Sequence, residues 1–321
     1  MPSALSLPIP LPTRDSSFDV VTLGLNSVDL VAVAPTFPVP NSKQRLDRFA
    51  RLPGGQMATA AAVCARLGWR ARYIGSFGDD DLGRLGRESL LVEGVDISAS
   101  WVADGATNQF AVILVDAANG DRTVLWDRHP MLAMDPAQVP REAVTSGRLL
   151  IVDCHETAAA TTAARYARAA GIPTIIDVEK VRPGIDELLS EIDIIIAAQD
   201  LPAALTGYGD PGRAIAAIGE RFRAALVAVT LGPDGSLAWC RGREIRTPGV
   251  PVTCADTTGA GDAFRGGFAA GWLRAPDGDV ADLLAYANAV AALNCRGLGA
   301  RGGMPTVNEV DDIIARGARR P

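Results

Sequence analysis

The segment of this chain best suited to chemistry is 256–264, which reads DTTGAGDAF. Gly259, Ala260 and Gly261 leave their backbone N–H groups uncovered, and the small, apolar residues that follow predict a helix. Backbone donors at a helix N-terminus favour a bound anion. Asp262 adds a carboxylate beside that anion site. A base next to fixed donors is what phosphoryl transfer to a hydroxyl needs, since one takes the proton and the others stabilise the phosphoryl oxygens.

The alternative reading of the same segment is purely structural, with Asp256 capping a helix and the glycines serving packing. Against it, the whole string resembles the C-terminal signature of the ribokinase-like (phosphofructokinase-B type) carbohydrate kinases. The resemblance extends over about residues 18–314. It implies an ATP- and Mg²⁺-dependent kinase in which Asp262 deprotonates a primary hydroxyl that attacks the γ-phosphate in line.

Composition limits the class of protein. The 321 residues are 48% hydrophobic and 21% charged, which suits one large α/β domain or two small ones. A net charge of −6 and the absence of any Lys/Arg cluster disfavour nucleic acid and anionic membranes as partners. Five scattered cysteines and two histidines predict neither a disulfide framework nor a Cys/His metal site, and favour a reducing cytoplasm.

The two ends of the chain differ in character. Residues 1–17 are rich in Pro and Ser and lack a basic or continuous apolar region, so we expect a disordered tail and no secretory signal. The rest, 18–321, is expected to be the kinase domain. No stretch is apolar enough to predict a membrane span.

Continuous apolar runs alternate with helical stretches in the second half of the chain. Such strands are buried on both faces, which predicts an α/β fold with a doubly wound, mainly parallel sheet flanked by helices. Ligands bind at the carboxyl ends of such strands. The apolar runs are 149–152, 174–176, 192–196 and 225–229. Three residues directly follow a run and are therefore candidate site residues, namely Asp153, Asp177 and Thr230.

Two segments, 28–50 and 101–127, interrupt the α/β rhythm and predict a small β-sheet lid. Asn119-Gly120, between the apolar runs 109–116 and 122–127, is typical of a β-hairpin turn. The family resemblance implies that the lid covers the sugar, excludes water and forms a homodimer contact.

Two candidates for sugar binding lie early in the chain. Gly54-Gly55 precede an Ala-rich helix and allow backbone to approach a ligand closely, although a plain turn would also use them. Asp29 could accept hydrogen bonds from two hydroxyls, although it could also be a solvated loop residue. In the family the Gly-Gly pair and this Asp contact the sugar. Thr59 stands where the family usually has Asn.

The nucleotide candidates lie later. The loop with Thr230, Gly232 and Gly235 resembles the family's T-x-G-x-x-G loop, which lies along ATP; a hairpin turn is the alternative. Asn288 matches a family Asn beside the adenine pocket, although a lone helical Asn is often a surface residue. The Gly-rich loop 297–305 resembles a region that closes the nucleotide site and, in some members, binds a monovalent cation.

One departure concerns magnesium. The family's N-x-x-E is replaced by Ala-Gln-Asp-Leu at 198–201, so the metal ligands are unknown. Either Gln199 or Asp200 substitutes, or ATP and water hold most of the Mg²⁺.

The sugar is open. Several details resemble the branch that phosphorylates 6-deoxy-6-sulfofructose, and a sulfonate would need a cationic or amide partner, for which the candidates are Asn108, Arg128 and Lys180. Fructose, a sugar phosphate and a nucleoside remain alternatives. So does a catalytically silent sugar- or nucleotide-binding regulator. A dinucleotide-dependent dehydrogenase is disfavoured because no G-x-G-x-x-G follows the first strand.

Overall fold

The computed structural model describes residues 5–13, 15–118 and 122–317. Its β-strands are β1 Val20–Leu23, β2 Ser27–Ala34, β3 Arg48–Gly54, β4 Ala71–Ile74, β5 Ser76–Gly78, β6 Trp101–Ala103, β7 Phe110–Asp116, β8 Arg122–Asp127, β9 Leu149–Asp153, β10 Thr174–Val178, β11 Ile194–Ala197, β12 Leu226–Thr230, β13 Ser236–Cys240 and β14 Arg243–Thr247. Its α-helices are α1 Gln56–Arg66, α2 Asp81–Val92, α3 Arg141–Val144, α4 Thr157–Ala169, α5 Ile185–Leu189, α6 Leu201–Thr206, α7 Pro211–Phe222, α8 Ala260–Arg274, α9 Val280–Asn294 and α10 Val307–Gly317.

The main sheet has eight strands in the order β14-β13-β12-β11-β10-β9-β1-β4. The six strands from β12 to β4 run parallel, and β13 and β14 are antiparallel additions at one edge. Strands β1, β9, β10 and β11 are buried along their whole length. This confirms the doubly wound, mainly parallel sheet that the continuous apolar runs predict.

Helices cover both faces of this sheet. Alternate strand residues point to opposite faces, so that Ile151 packs in a cluster with residues of α1, α8 and α9, whereas Leu150 and Val152 pack with residues of α4, α5 and α7. The small residues of α1 and α8 let the two helices and the sheet approach closely. A Cβ on Gly266 of α8 would lie 2.9 Å from the Ala60 carbonyl oxygen of α1.

The connection order creates a crevice. From β1 the chain proceeds to β4 on one side, and later to β9 on the other side of β1. The strand order therefore reverses between β1 and β9, and ligands of open α/β sheets bind at the carboxyl ends of such neighbours.

A second, four-stranded sheet has the order β3-β2-β7-β8. The pairing of β7 with β8 is antiparallel, as the hairpin interpretation requires; the Asn119-Gly120 turn itself lies outside the described residues. The start of the expected lid segment 101–127 differs from the structure. Residues 101–103 form β6, which pairs with β5 in a separate two-stranded sheet.

The N-terminal segment departs from the expected disordered tail. Its described residues have no regular secondary structure, yet Leu7 and Leu11 are buried in the main core cluster. The Leu5 N–H donates to Asp279, and the Leu5 carbonyl accepts from Val280. From the composition we expected the entropic cost of ordering this segment to exceed any gain from burial. The burial of its apolar side chains instead offsets that cost.

Across the described parts of the chain, no helix combines the length and the apolar character that crossing a membrane would require.

Candidate functional site

Gly259 creates the turn that precedes helix α8. Its φ is +72°, in the left-handed region, and a Cβ there would lie 2.4 Å from the carbonyl oxygen of Ala300. Helix α8 begins at Ala260, and Asp262 lies in its first turn. The sequence prediction of a loop leading into a helix N-terminus is therefore confirmed.

Asp256 holds this loop instead of capping the helix. Its Oδ1 accepts hydrogen bonds from the Thr258 N–H and hydroxyl at 2.9 and 2.8 Å. Its Oδ2 accepts from the Gly299 N–H at 2.8 Å, and the residue at the N-cap of α8 is Gly259. The helix-capping alternative for Asp256 is thus wrong, and the carboxylate links the anion-site loop to the Gly-rich loop 297–305.

Asp262 has an unusual electrostatic setting. The residue is partly exposed, but its carboxyl group lies in a recess where desolvation, followed by the charge of Glu179, raises its pKa to about 7. The positive charge of Arg265 opposes that rise. A carboxyl with a pKa near neutrality can both accept and release a proton under physiological conditions.

A buried ion pair lies under Asp262. Arg265 Nη2 is 2.7 Å from Asp177 Oδ1, with both side chains almost entirely buried. The guanidinium is close but not well aligned, since neither Asp177 oxygen receives a hydrogen bond of good geometry. Burial raises the pKa of Asp177 well above its usual range. The sequence analysis identified Asp177 as a candidate because it follows a buried strand, but it did not identify Arg265 as its partner.

An apolar cavity of about 540 Å³ lies beside the anion-site loop. Six of the predicted residues line it, namely Thr230, Gly232, Gly235, Ala260, Gly261 and Asn288. The remaining wall is mostly apolar and was not predicted: Pro233, Gly249, Val250, Pro251, Val252, Cys254, Thr257, Phe264, Ala291, Ala292 and Cys295. Apolar walls with a few polar groups are typical of small-molecule sites.

Asn288 is buried, which excludes the surface-residue alternative. Its Nδ2 donates to the Ser236 hydroxyl at 3.1 Å and lies 3.3 Å from the Pro248 carbonyl oxygen. The side chain thereby joins α9 to β13 and to the segment after β14. These contacts position one wall of the cavity.

Asp29 of β2 and Gly54 of β3 lie close together but two register positions apart, since Gly54 pairs with Ser27. Asp29 is buried, and a Cβ on Gly54 would lie 2.7 Å from its Oδ2. Burial raises the pKa of Asp29 to about 6. The solvated-loop alternative for Asp29 is wrong. Gly55, with φ +89°, would meet the Asn26 backbone at 2.4 Å if it carried a Cβ, so both glycines are required by close packing.

Sequence reasoning missed Arg301. Its three donor nitrogens reach the Thr59 hydroxyl at 3.2 Å, the Ser89 hydroxyl at 3.0 Å and the Gly54 carbonyl at 2.9 Å. Thr59, at the position where the family usually has Asn, is thus an acceptor for this guanidinium. Desolvation lowers the pKa of Arg301 to about 10, opposed by nearby negative groups that include Asp262 and Asp29.

Asp153 lies at the β1–β9 crevice. Its oxygens accept from the Leu25 N–H at 2.7 Å and from the His155 N–H at 2.9 Å. Burial raises its pKa to about 6. The carboxylate therefore links the segments that follow β1 and β9, and it does not cap helix α4, whose N-cap residue is Glu156.

The three candidates for a sulfonate partner have different surroundings. Asn108 is buried, accepting from the Gly78 N–H and donating to the Gln109 carbonyl. Arg128 is held by Glu156, Gln109 and the Leu132 carbonyl. Lys180 is exposed after β10.

The four-stranded sheet contacts the anion-site loop through Arg122 of β8. Its Nη1 donates to the Thr258 hydroxyl at 3.0 Å and lies 3.6 Å from Asp256 Oδ1. The positive charge of Arg122 also opposes the rise in the pKa of Asp29. This second sheet therefore lies over the boundary between the sugar candidates and the loop before α8.

Within the ranges that the structure covers, no group of three or more His, Cys, Asp or Glu side chains could hold a metal ion.

Comparison with known proteins identifies the family. Residues 17–307 match the pfkB family carbohydrate kinases. An ATP-dependent ribose-1-phosphate kinase of Halopiger xanaduensis is 33% identical over 82% of this chain and 86% of its own. A fructokinase of Klebsiella pneumoniae is also 33% identical, over 83% of this chain and 92% of its own.

The fold agrees with solved structures. The structure of Arabidopsis thaliana ribokinase complexed with ribose and ATP superposes with a TM-score of 0.80 at 24% identity, covering 92% of this chain and 98% of that one. The family match and the two relatives together show that this chain belongs to the pfkB family and is an ATP-dependent carbohydrate kinase.

Proposed function

We propose that this kinase transfers the γ-phosphate of ATP to a primary hydroxyl of a small ketose, such as fructose or 6-deoxy-6-sulfofructose, with Asp262 as the base. The observation that carries the proposal is the placement of Asp262 in the first turn of α8, with a pKa raised to about 7. Its neighbours Ala260 and Gly261 line the cavity where ATP would lie.

The proposed reaction uses Asp262 and the backbone before it in separate roles. Asp262 accepts the hydroxyl proton as the oxygen attacks phosphorus. The N–H groups of Gly259, Ala260 and Gly261, together with the positive end of α8, stabilise the charge on the transferring phosphoryl oxygens.

The sugar is proposed to bind at the β1–β9 crevice, against Asp29, Gly54 and Gly55. Asp29 would accept hydrogen bonds from two hydroxyls, while Arg301 holds the Gly54 carbonyl from behind. The sheet that carries Arg122 would exclude water from the site. Asn108 is proposed to support this wall through its bonds to Gly78 and Gln109.

The nucleotide is proposed to lie along Thr230, Gly232 and Gly235, with its base in the apolar cavity near Asn288. Glycines at 232 and 235 have positive φ, which lets the backbone approach phosphate and ribose. Among the described residues no group of three or more carboxylate, His or Cys side chains could hold a metal ion, and we propose that phosphate oxygens and water hold most of the Mg²⁺. When bound, Mg²⁺ would neutralise charge on the phosphates, and the nearby Glu179 could offer it one carboxylate oxygen.

A sugar phosphate is the second candidate acceptor. Desolvation lowers the pKa of His155 to about 4, and the charges of Arg182, Arg128 and Lys180 contribute to that shift. The Nε of Arg182 is buried and lacks a hydrogen-bond partner. These cations lie beside the crevice and would attract an anionic group on the acceptor. The 33% identity to a ribose-1-phosphate kinase agrees with this alternative.

Three further properties are part of the proposal. The molecule forms a homodimer through its four-stranded sheet, whose strand β8 exposes Val124, Leu125 and Trp126. It acts in the cytoplasm. The loop 297–305 is the proposed place for a bound monovalent cation.

The experiment is an ADP-release screen with Mg-ATP against ketoses, aldoses, sulfofructose, sugar phosphates and nucleosides. The proposal predicts one strong response to a ketose or its sulfonated analogue. A response confined to sugar phosphates would favour the second candidate. A flat panel with normal ATP binding would favour the silent regulator.

A further inference from the structure

Two cysteines lie together in the wall of the apolar cavity. Cys254 is exposed, Cys295 is 8% exposed, and both line the cavity. The other three cysteines, Cys64, Cys154 and Cys240, are buried and lie away from that wall. No step of the proposed phosphoryl transfer uses either thiol.

The backbone holds the two cysteines next to each other. The N–H groups of Ala255 and Asp256 both donate to the carbonyl oxygen of Cys295, at 2.8 and 3.2 Å. The segment that carries Cys254 is therefore fastened to the C-terminal end of α9, where Cys295 follows the last helical residue.

The two thiols differ in reactivity. Burial, followed by the neighbouring Cys254 thiol, raises the pKa of Cys295 to about 11, so Cys295 stays protonated at neutral pH. Cys254 is open to solvent, and a thiol reagent reaches it first. An accessible thiol beside a shielded second thiol is the arrangement in which a mixed disulfide is resolved within one chain.

We propose that Cys254 and Cys295 form a dithiol modification site, which oxidises to an intramolecular disulfide in the wall of the apolar cavity and weakens nucleotide binding. The effect on binding rests on the proposed place of ATP in this cavity. The reagent is a low-molecular-weight disulfide of the glutathione class.

The chemistry balances in two exchanges. The Cys254 thiolate attacks oxidised glutathione, forming a mixed disulfide and releasing one glutathione thiolate. The Cys295 thiol then loses its proton to solvent and attacks the Cys254 sulfur, which forms the internal disulfide and releases the second glutathione. Two protein thiols are oxidised, and one glutathione disulfide is reduced to two thiols.

The disulfide would act on the cavity for two structural reasons. It replaces two separate wall side chains by a bridge of fixed geometry. It also immobilises the segment just before Asp256, whose carboxylate holds both Thr258 and Gly299. Adjustment of the anion-site loop around phosphates is then restricted.

The test uses the full-length reduced protein treated with oxidised glutathione. Peptide mass mapping should find a Cys254–Cys295 disulfide, and binding of a fluorescent ATP analogue should be lost and then return with reductant. Bound ATP should slow disulfide formation. Cys254→Ser should form no disulfide and should bind the analogue equally well before and after treatment. Cys295→Ser should stop at the mixed disulfide of Cys254 with glutathione, which mass mapping detects.

Three results would overturn the inference: no disulfide, a disulfide that pairs other cysteines, or a mapped Cys254–Cys295 bond that leaves ATP-analogue binding unchanged. Failure of the untreated wild-type protein to bind the analogue would instead contradict the proposed nucleotide site. The mapped bond decides the dithiol site in that case too, because its formation needs no nucleotide.

Discussion

The two sides of the proposed active site, a sugar side and a nucleotide side, differ in chemical composition. The sugar side, at the β1–β9 crevice, contains ionisable groups withdrawn from water, with Asp29, Asp153 and Arg301 all shifted in pKa by burial. The nucleotide side is a cavity lined mainly by apolar side chains and glycine backbone, with no Asp, Glu, Lys or Arg among its lining residues.

This difference separates the two recognition tasks. Reading the hydroxyls of one sugar calls for oriented charged acceptors, which are costly to bury and therefore held by many partners. Binding a nucleotide common to a whole family calls for apolar surface and backbone donors. Asp262 lies where the two sides meet, since its pKa responds to Asp29 and Asp153 while its neighbour Gly261 lines the cavity.

The largest expected effect is at that meeting point. Asp262→Asn removes the proposed base and should lower kcat by about 10²–10⁴-fold. Binding of ATP should be largely retained, because Asp262 is not among the cavity-lining residues. Steady-state kinetics and a nucleotide-binding titration check both halves, and near-normal turnover would remove Asp262 from the role of base.

On the sugar side, Asp29→Asn should raise the KM for the sugar by about ten- to hundredfold, the equivalent of about 1.5–3 kcal/mol for hydrogen bonds to a charged group. The KM for ATP should change little. Asp116→Asn is the matched control, because Asp116 pairs with Ala34 at the far end of the same sheet. An equal effect of the two substitutions on sugar KM would contradict the assignment.

On the nucleotide side, Ala291→Leu places three more carbons in the cavity wall and should weaken ATP binding by about 1–3 kcal/mol, as overpacking does. The sugar KM should stay near its wild-type value. Ala281→Leu, in the first turn of the same helix and outside the cavity lining, is the control. Kinetics with each substrate varied in turn would separate the two sides, and a change confined to sugar KM would reverse the comparison.

The smallest effect concerns the contact between the two sides. Arg122→Ala removes the bond to Thr258 and the ion pair with Asp256. Because Arg122 is 43% exposed, solvent screens this pair, and we expect a loss of at most about 1 kcal/mol, or up to about fivefold in kcat/KM. Arg84→Ala, which breaks an exposed pair with Asp81 and no bond to Thr258 or Asp256, should leave kcat/KM unchanged. Identical kinetics for the two variants would argue against a role for Arg122.

The sequence predicted the sheet and the loop before α8 well because both depend on local pattern. Buried strands such as β9 appear as unbroken apolar runs, and the DTTGAGDAF segment contains its own glycines and carboxylates. Arg301 could not be found in that way, because its partners Thr59 and Gly54 are 242 and 247 residues away.

The expectation of a disordered start failed for a related reason. Leu7 and Leu11 lie in a Pro-rich segment without helical or strand periodicity, so nothing local indicates that they are buried. Only the core around α1 and α9, assembled from the whole chain, provides the surface they cover.

The most direct test of the central claim is the pH dependence of kcat/KM for the wild-type enzyme with its best sugar. A base must be ionised to accept a proton, and the pKa of Asp262 is raised to about 7. Activity should therefore be low on the acid side, rise as the pH approaches 7 and level off just above it, with a steeper slope below about pH 6, where Asp29 is protonated as well. A profile that is flat through that region, or that falls as the pH rises through 7, would contradict catalysis by a desolvated Asp262.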